Sequence, residues 1–240
     1  RAHADFRELN RRTDIDTVFV CTPDHWHALV AIDAMRNGKD VYIEKPMTLT
    51  IEEGRAVVAA ARKHNRVAQH GTQHRSMKRF HDVAQFVRNG GLGKLHRIEC
   101  FIPPNNRHCG ATWKTEAVPE GLDWDMWLGQ TPVVDYVKER THLTFRYWWD
   151  YSGGTMTDWG AHHFGGATFA VDVRELQPEE VVLEEESNGK QWCSLNYANG
   201  IMVTHNRPNF GNLQVEGTPG ETREAKPVPS YKGEGGIYGD

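Results

Sequence analysis

Residues 16–50, "DTVFVCTPDHWHALVAIDAMRNGKDVYIEKPMTLT", decide the fold. "DTVFVC" (16–21) is an apolar run of the kind found in a sheet covered on both faces, with Cys21 as an inert core residue. "TPDHWHALVAIDAMRNG" then reads as a helix: Thr22 suits the N-cap, Pro23 the first helical position and Gly38 the C-cap. "DVYI" is a second strand, and it stops at Glu44, Lys45 and Pro46. Proline forces Lys45 into extended geometry and makes the Lys45–Pro46 bond a candidate for cis. A charge fixed at a strand's carboxyl end is how an α/β protein presents a reactive side chain. The plain alternative is a surface turn with a solvated lysine.

Outward from there the alternation continues. "TIEEGRAVVAAARKHN" opens with a capping box, Thr50 with Glu53 three residues on, and "RVAQH" (66–70) is a third strand. Short connections between strand and helix imply parallel strands with right-handed crossovers. "RFHDVAQFVRNGG" is an amphipathic helix ended by glycines. "LHRIECFI" (95–102) then alternates faces, as a sheet with one open side does. An irregular stretch rich in Trp, Pro and Gly covers 103–154, and a helix starts near Thr157. "QWCSLNYANGIMVTHNR" reads as a hairpin turning at Asn199-Gly200, "NLQVEG" as one more strand, and the chain after about residue 218 as a loose tail. The boundary falls near residue 73, giving an α/β half over 1–73 and an α+β half over 74–240 with an open, mainly antiparallel sheet.

The chain has 240 residues, a quarter of them charged, and a formal net charge of −4. That balance points to neither nucleic acid nor an anionic membrane, although "RSMKRF" clusters basic residues. No apolar run is long enough to span a bilayer. The 4 cysteines form no CxxC pair and suggest neither zinc nor a disulfide framework. The 8 tryptophans, most of them between 113 and 159, and the 13 histidines suit either a sugar-binding surface or packing. The chain starts at Arg1 without a methionine or a visible signal peptide, so its natural N-terminus is expected to lie upstream.

Three strand ends carry polar, Pro- or Gly-marked segments: Thr22 to His27, Glu44 to Pro46, and Gln69 to Gln73. Doubly wound sheets bind ligands at such ends, and the helix after Pro23 aims its first amides there. Each alone is an ordinary loop; together they predict a cleft. The second cluster is "YWWDYSGGTMTDWGAHHFGG" (147–166), where Asp158 and His162 share a helix face. A carboxylate beside an imidazole makes an oriented general base. The bland alternative is a helix-surface pair. His25, His27, His162, His163 and Asp158 offer metal-ligand types, but a tight site needs three or four ligands converging and no HxxxH or HExxH helix occurs, so no metal is expected.

Over residues 5–165 the sequence resembles the Gfo/Idh/MocA oxidoreductases. The resemblance rests on "VCTPDHWHALVAIDAMRNGKDVYIEKP", "GTQHRS", "GLDWDMWLGQTP" and "RYWWDYSGGTMTDWGAHHF". It implies a Rossmann-like nucleotide domain and oxidation or reduction of a sugar, polyol or cyclitol carbon with NAD or NADP. It implies Lys45, Asp158 and His162 as catalytic residues. Thr22, Pro23, His27, Glu44, Lys45 and Gln73 are implied on the cofactor side, and Arg75, Trp148 and His163 on the substrate side. His162 would take the hydroxyl proton as hydride leaves the same carbon, Asp158 would orient His162, and Lys45 would stabilise the alkoxide. The family's first strand and GxGxxG loop are absent from this sequence, so the doubly wound sheet is expected to be incomplete. Relatives also carry an acidic residue where Gly165 stands.

Two other functions fit the same residues. One is a redox-neutral lyase, epimerase or glycoside-cleaving enzyme with tightly bound NAD; the other is a non-catalytic binding protein without the dinucleotide loop. The expected partners are a small sugar or polyol and a second copy through the open sheet, with no nucleic acid and no membrane. Localisation stays open: cytoplasmic by default, exported if a signal precedes Arg1.

Overall fold

The computed structural model describes residues 2–102, 113–171, 177–185, 189, 191–205 and 235–239. In chain order the elements are α1 (Phe6–Asn10), β1 (Thr17–Val20), α2 (Asp24–Arg36), β2 (Asp40–Ile43), α3 (Ile51–His64), β3 (Ala68–His70), α4 (Lys78–Arg88) and β4 (Leu95–Cys100). Then come α5 (Trp124–Leu128), α6 (Gly154–Val171), β5 (Glu180–Glu185), β6 (Gln191–Asn196), β7 (Met202–His205) and β8 (Gly235–Gly239). Short 3-10 helices cover Gln73–Ser76, Lys138–Arg140 and His142–Tyr147. The residues form two compact units, one of Arg1–Thr72 with Pro104–Asp158, the other of Gln73–Pro103 with Trp159–Asp240.

The first unit carries the parallel sheet β1-β2-β3, in which Val41 lies between Val18 and Ala68, and Ile43 between Val20 and His70. Val18, Val20, Val41 and Ile43 share one face and pack against Ala31, Ala34 and Met35 of α2 and Val57 and Ala60 of α3. Both helices therefore cover the same side. The run at 16–21 was expected to be buried on both faces; it alternates instead, with Phe19 69% exposed and stacked on Tyr42 at 5.1 Å. Cys21 is likewise exposed, not a core residue. An unbroken apolar run does not say which faces are covered.

The helix starts are local chemistry. Thr50 accepts from the Glu53 amide at 3.2 Å while the Glu53 carboxylate accepts from the Thr50 amide at 3.0 Å, a complete capping box. At α2 the expected cap shifts by one: Pro23 is the N-cap, Asp24 is the first helical residue, and no side chain caps the end. Proline holds Thr22 extended, outside the helix.

The second unit carries the mixed sheet β5-β6-β7-β4-β8, in which only β4 and β7 run parallel. Tyr197 and Ile201 close the β6–β7 hairpin, with Gly200 at φ 79°. One face of the sheet packs Ile98, Cys100 and Val203 against Ala167 of α6. The strand expected at "NLQVEG" lies outside the described residues, as does most of the expected tail; the tail's last part pairs antiparallel with β4 as β8. No described helix is long and apolar enough to cross a membrane.

Candidate functional site

A cleft of about 340 Å³ opens where β1 and β2 end in the first unit. Thr22, Pro23, His27, Glu44 and Lys45 all line it, together with Asp24, Trp127, His142, Phe145 and Arg146. Lys45 stands two residues past the last residue of β2, and the Lys45–Pro46 bond is cis. Its ammonium donates to Asp158 Oδ1, and Arg146 Nε approaches Asp158 Oδ2 at 3.4 Å. One carboxylate thus sits between two cations, each side chain less than a third exposed. Charge-assisted pairs of this kind hold their members in place more firmly than neutral hydrogen bonds do.

His27 braces the strand ends. Its Nδ1 lies 2.6 Å from the Pro46 carbonyl and its Nε2 2.7 Å from the Thr22 carbonyl. Both partners are acceptors, so a neutral ring donates to only one of them. His27 therefore ties the end of β1 to the turn that carries Lys45.

Asp24 is 4% exposed and accepts from the Ser152 hydroxyl at 2.5 Å. Burial pushes its carboxyl above the usual range; the Ser152 bond, then His27 and Arg146, pull it back. His25, the next residue, is fully buried against Trp127 and Tyr151 and donates from Nε2 to the Trp127 carbonyl at 2.9 Å. Desolvation lowers its pKa.

Asp158 and His162 are four apart on α6, and both Asp158 oxygens are engaged by cations. His162, His163, Gln73 and Arg75 belong to the second unit. There the His162 ring lies 4.4 Å from His74, which stacks on Phe80 at 4.9 Å, and Trp159 sets its edge to both His162 and His163. Arg75 donates to the Gly165 carbonyl at 3.2 Å and the Thr168 hydroxyl at 3.1 Å, which ties the turn after β3 to α6. Trp148 donates to the Glu139 carbonyl and carries the Arg140 guanidinium 3.8 Å over its ring, a packing arrangement within the first unit. Sequence reasoning missed Asp24, Ser152, Arg146, His142 and His74. Only "HWH" and "GTQH" gave a hint, as histidines beside strand ends.

The uncapped helix start at α2, with Thr22 beside it and Lys45 in the same cleft, suits an anionic group such as a phosphate of a dinucleotide. Among the described residues no group of three or more His, Cys, Asp or Glu could hold a metal.

Comparison with known proteins places the chain. The profile for the oxidoreductase family's NAD-binding Rossmann fold matches residues 1–72, and that for the family's C-terminal alpha/beta domain matches 106–209. The chain belongs to the Gfo/Idh/MocA oxidoreductase family. It is 32% identical over 186 residues to the uncharacterized oxidoreductase YrbE of Bacillus subtilis, covering 77% of this chain and 44% of that one. A shorter match, 45% over 58 residues, covers 24% of this chain and 13% of the alpha-N-acetylgalactosaminidase of Shewanella oneidensis. The crystal structure of an oxidoreductase domain protein from Kribbella flavida shares the fold, with a TM-score of 0.59 at 23% identity over 84% of this chain and 50% of that one. The chain spans about half the length of YrbE and of the Kribbella flavida protein.

Proposed function

We propose that the protein is an NAD(P)-dependent oxidoreductase acting on a hydroxyl carbon of a sugar, polyol or cyclitol. The supporting observation is the cleft at the ends of β1 and β2, where Lys45 is held by Asp158 beside Thr22, Pro23, His27 and Glu44. In this reading Thr22, Pro23, His27, Glu44 and Gln73 serve the cofactor, which when bound supplies the hydride acceptor. Lys45 donates to the substrate oxygen and stabilises negative charge as it develops there. Asp158 holds the Lys45 ammonium in position, and His162 takes the hydroxyl proton. Arg75, Trp148 and His163 are the substrate-side residues of the proposal. The protein acts on a small molecule and pairs with a second copy through its open sheet.

A second reading, redox-neutral glycoside cleavage on bound NAD, is favoured by the 58-residue match to a glycosidase. Oxidation of one carbon acidifies the proton on its neighbour, so the same lysine and histidine serve an elimination. The test is NADH absorbance at 340 nm with NAD and a panel of sugars and aryl glycosides. Net NADH that disappears in Lys45→Met supports the dehydrogenase. Aglycone release without net NADH supports the second reading. Neither signal, with NAD titrating no protein fluorescence, refutes both.

A further inference from the structure

The 3-10 helix His142–Tyr147 has no role in the oxidoreductase reading, yet it gives the cleft three side chains, those of His142, Phe145 and Arg146. Residues three apart eclipse on a 3-10 helix, which puts His142 and Phe145 on one side. His142 sits at φ 51°, the left-handed region that side-chain-bearing residues seldom adopt and that recurs at ligand clamps.

Arg146 is the group that defines the ligand. Its guanidinium lies 4.8 Å from the Phe145 ring, Nε makes the 3.4 Å approach to Asp158, and Nη1 makes a long 3.5 Å contact with the Leu143 carbonyl. Nη2 has no hydrogen bond among the described residues. A guanidinium has five N–H donors in a fixed fork, so most of this fork is left over in a partly enclosed place. Two acids line the cleft, Asp24, whose ionisation is disfavoured by burial, and Glu44, and they stand against two cationic side chains, Lys45 and Arg146. The volume lies near the small end of ligand pockets, about 300–1,000 Å³, and suits one sugar-sized molecule.

We infer that the cleft binds an anionic sugar, its acidic group received by Arg146 with His142 at the lip. The inference rests on the oxidoreductase reading for the sugar itself. It goes beyond that reading in naming charge, and a carboxylate and a phosphate offer the same chemistry to the fork.

The test is isothermal titration of the 240-residue chain with glucose, glucuronate and glucose 6-phosphate, at low and high salt. At least one acid should bind about tenfold or more tighter than glucose, with the advantage shrinking in salt. Which acid gains identifies the group. Arg146→Met should erase the advantage, and Arg146→Lys should keep part of it, since lysine retains charge but not the fork. If Arg146→Met fails to give a cooperative melt, Arg146→Lys and His142→Ala carry the test, each with an expected partial loss. Equal binding of all three sugars, no saturable binding of either acid, or an advantage unchanged in every variant overturns the inference. Acid binding that persists while NAD neither binds nor turns over leaves it standing and refutes the oxidoreductase reading.

Discussion

The two sheets use their faces differently. In the parallel sheet one face of β1 and β2 is aliphatic, Val18, Val20, Val41 and Ile43, and the polar chemistry of these two strands stands beyond their ends at Thr22, Glu44 and Lys45. In the mixed sheet, Ile98 and Val203 face α6, while the opposite side buries polar groups within the strands. Thr204 donates to Glu99, Arg97 pairs with Glu99 at 2.7 Å, and Ser194 donates to Glu184 at 2.6 Å. A parallel sheet aligns all its carboxyl ends at one edge, so reactive groups gather there without interrupting the core. A mixed sheet has no such common edge, and its polar residues must satisfy one another across strands.

The largest expected effect tests the strand-end side of that contrast. Lys45→Met should lower turnover by about 100-fold or more, the scale of losing one charge-stabilising donor. The melt should barely move, since Asp158 keeps Arg146. Steady-state kinetics with thermal melting decides it. Unchanged turnover would mean that the strand ends do not carry the chemistry.

The faces come next. Ile43 is 1% exposed, and Ile43→Ala should cost about 2–5 kcal/mol in a urea titration. Thr204→Val leaves the buried Glu99 without one donor and should cost about 1–3 kcal/mol. Equal costs, or a silent Thr204→Val, would break the distinction between an apolar and a polar buried face.

The buried titratable groups at the start of α2 give a smaller, pH-dependent effect. Desolvation holds folded His25 below its ordinary value of 6.5, so the unfolded chain takes up a proton that the folded one refuses. The stability present above pH 6.5 is lost as pH falls through the depressed value. Asp24 runs the other way. Its folded value is raised above 3.8, so its contribution is full below that pH and lost as pH rises through the folded value. His25→Gln should flatten the acid limb of the urea midpoint between pH 7 and 5. Asp24→Asn, which can still accept from Ser152, should raise the midpoint at pH 8.

What could be read from the sequence was what neighbours decide. The strands of the first sheet, the capping box at Thr50 and the charge held before Pro46 are signals within a few residues. The partner of Lys45 is 113 residues away, and no local pattern points to it. Arg146 and His142 lie in a stretch without a period of 2 or 3.6, because a 3-10 helix repeats every three residues. Phe19 and Cys21 were misread for a related reason: the apolar run showed a strand but not that α2 and α3 share one side of it. The Gly-rich end of the chain reads as a tail by composition, although Gly235–Gly239 pairs antiparallel with β4 as β8.

The smallest effect is the most local. Thr50→Ala removes the acceptor for the Glu53 amide and should cost about 1 kcal/mol. Glu53→Ala should cost less than its two hydrogen bonds suggest: its carboxylate serves the Leu49 and Thr50 amides, but Thr50 is exposed and water replaces part of that bonding. The double variant should fall short of the sum, because each half of the box orders the other. α3 also supplies Val57 and Ala60 to the core under β2, so this loss should appear as faster hydrogen exchange in β2 as well as in α3. Exchange confined to the first turn of α3 would show that the cap serves the helix alone and that the ground beneath Lys45 is set by the core.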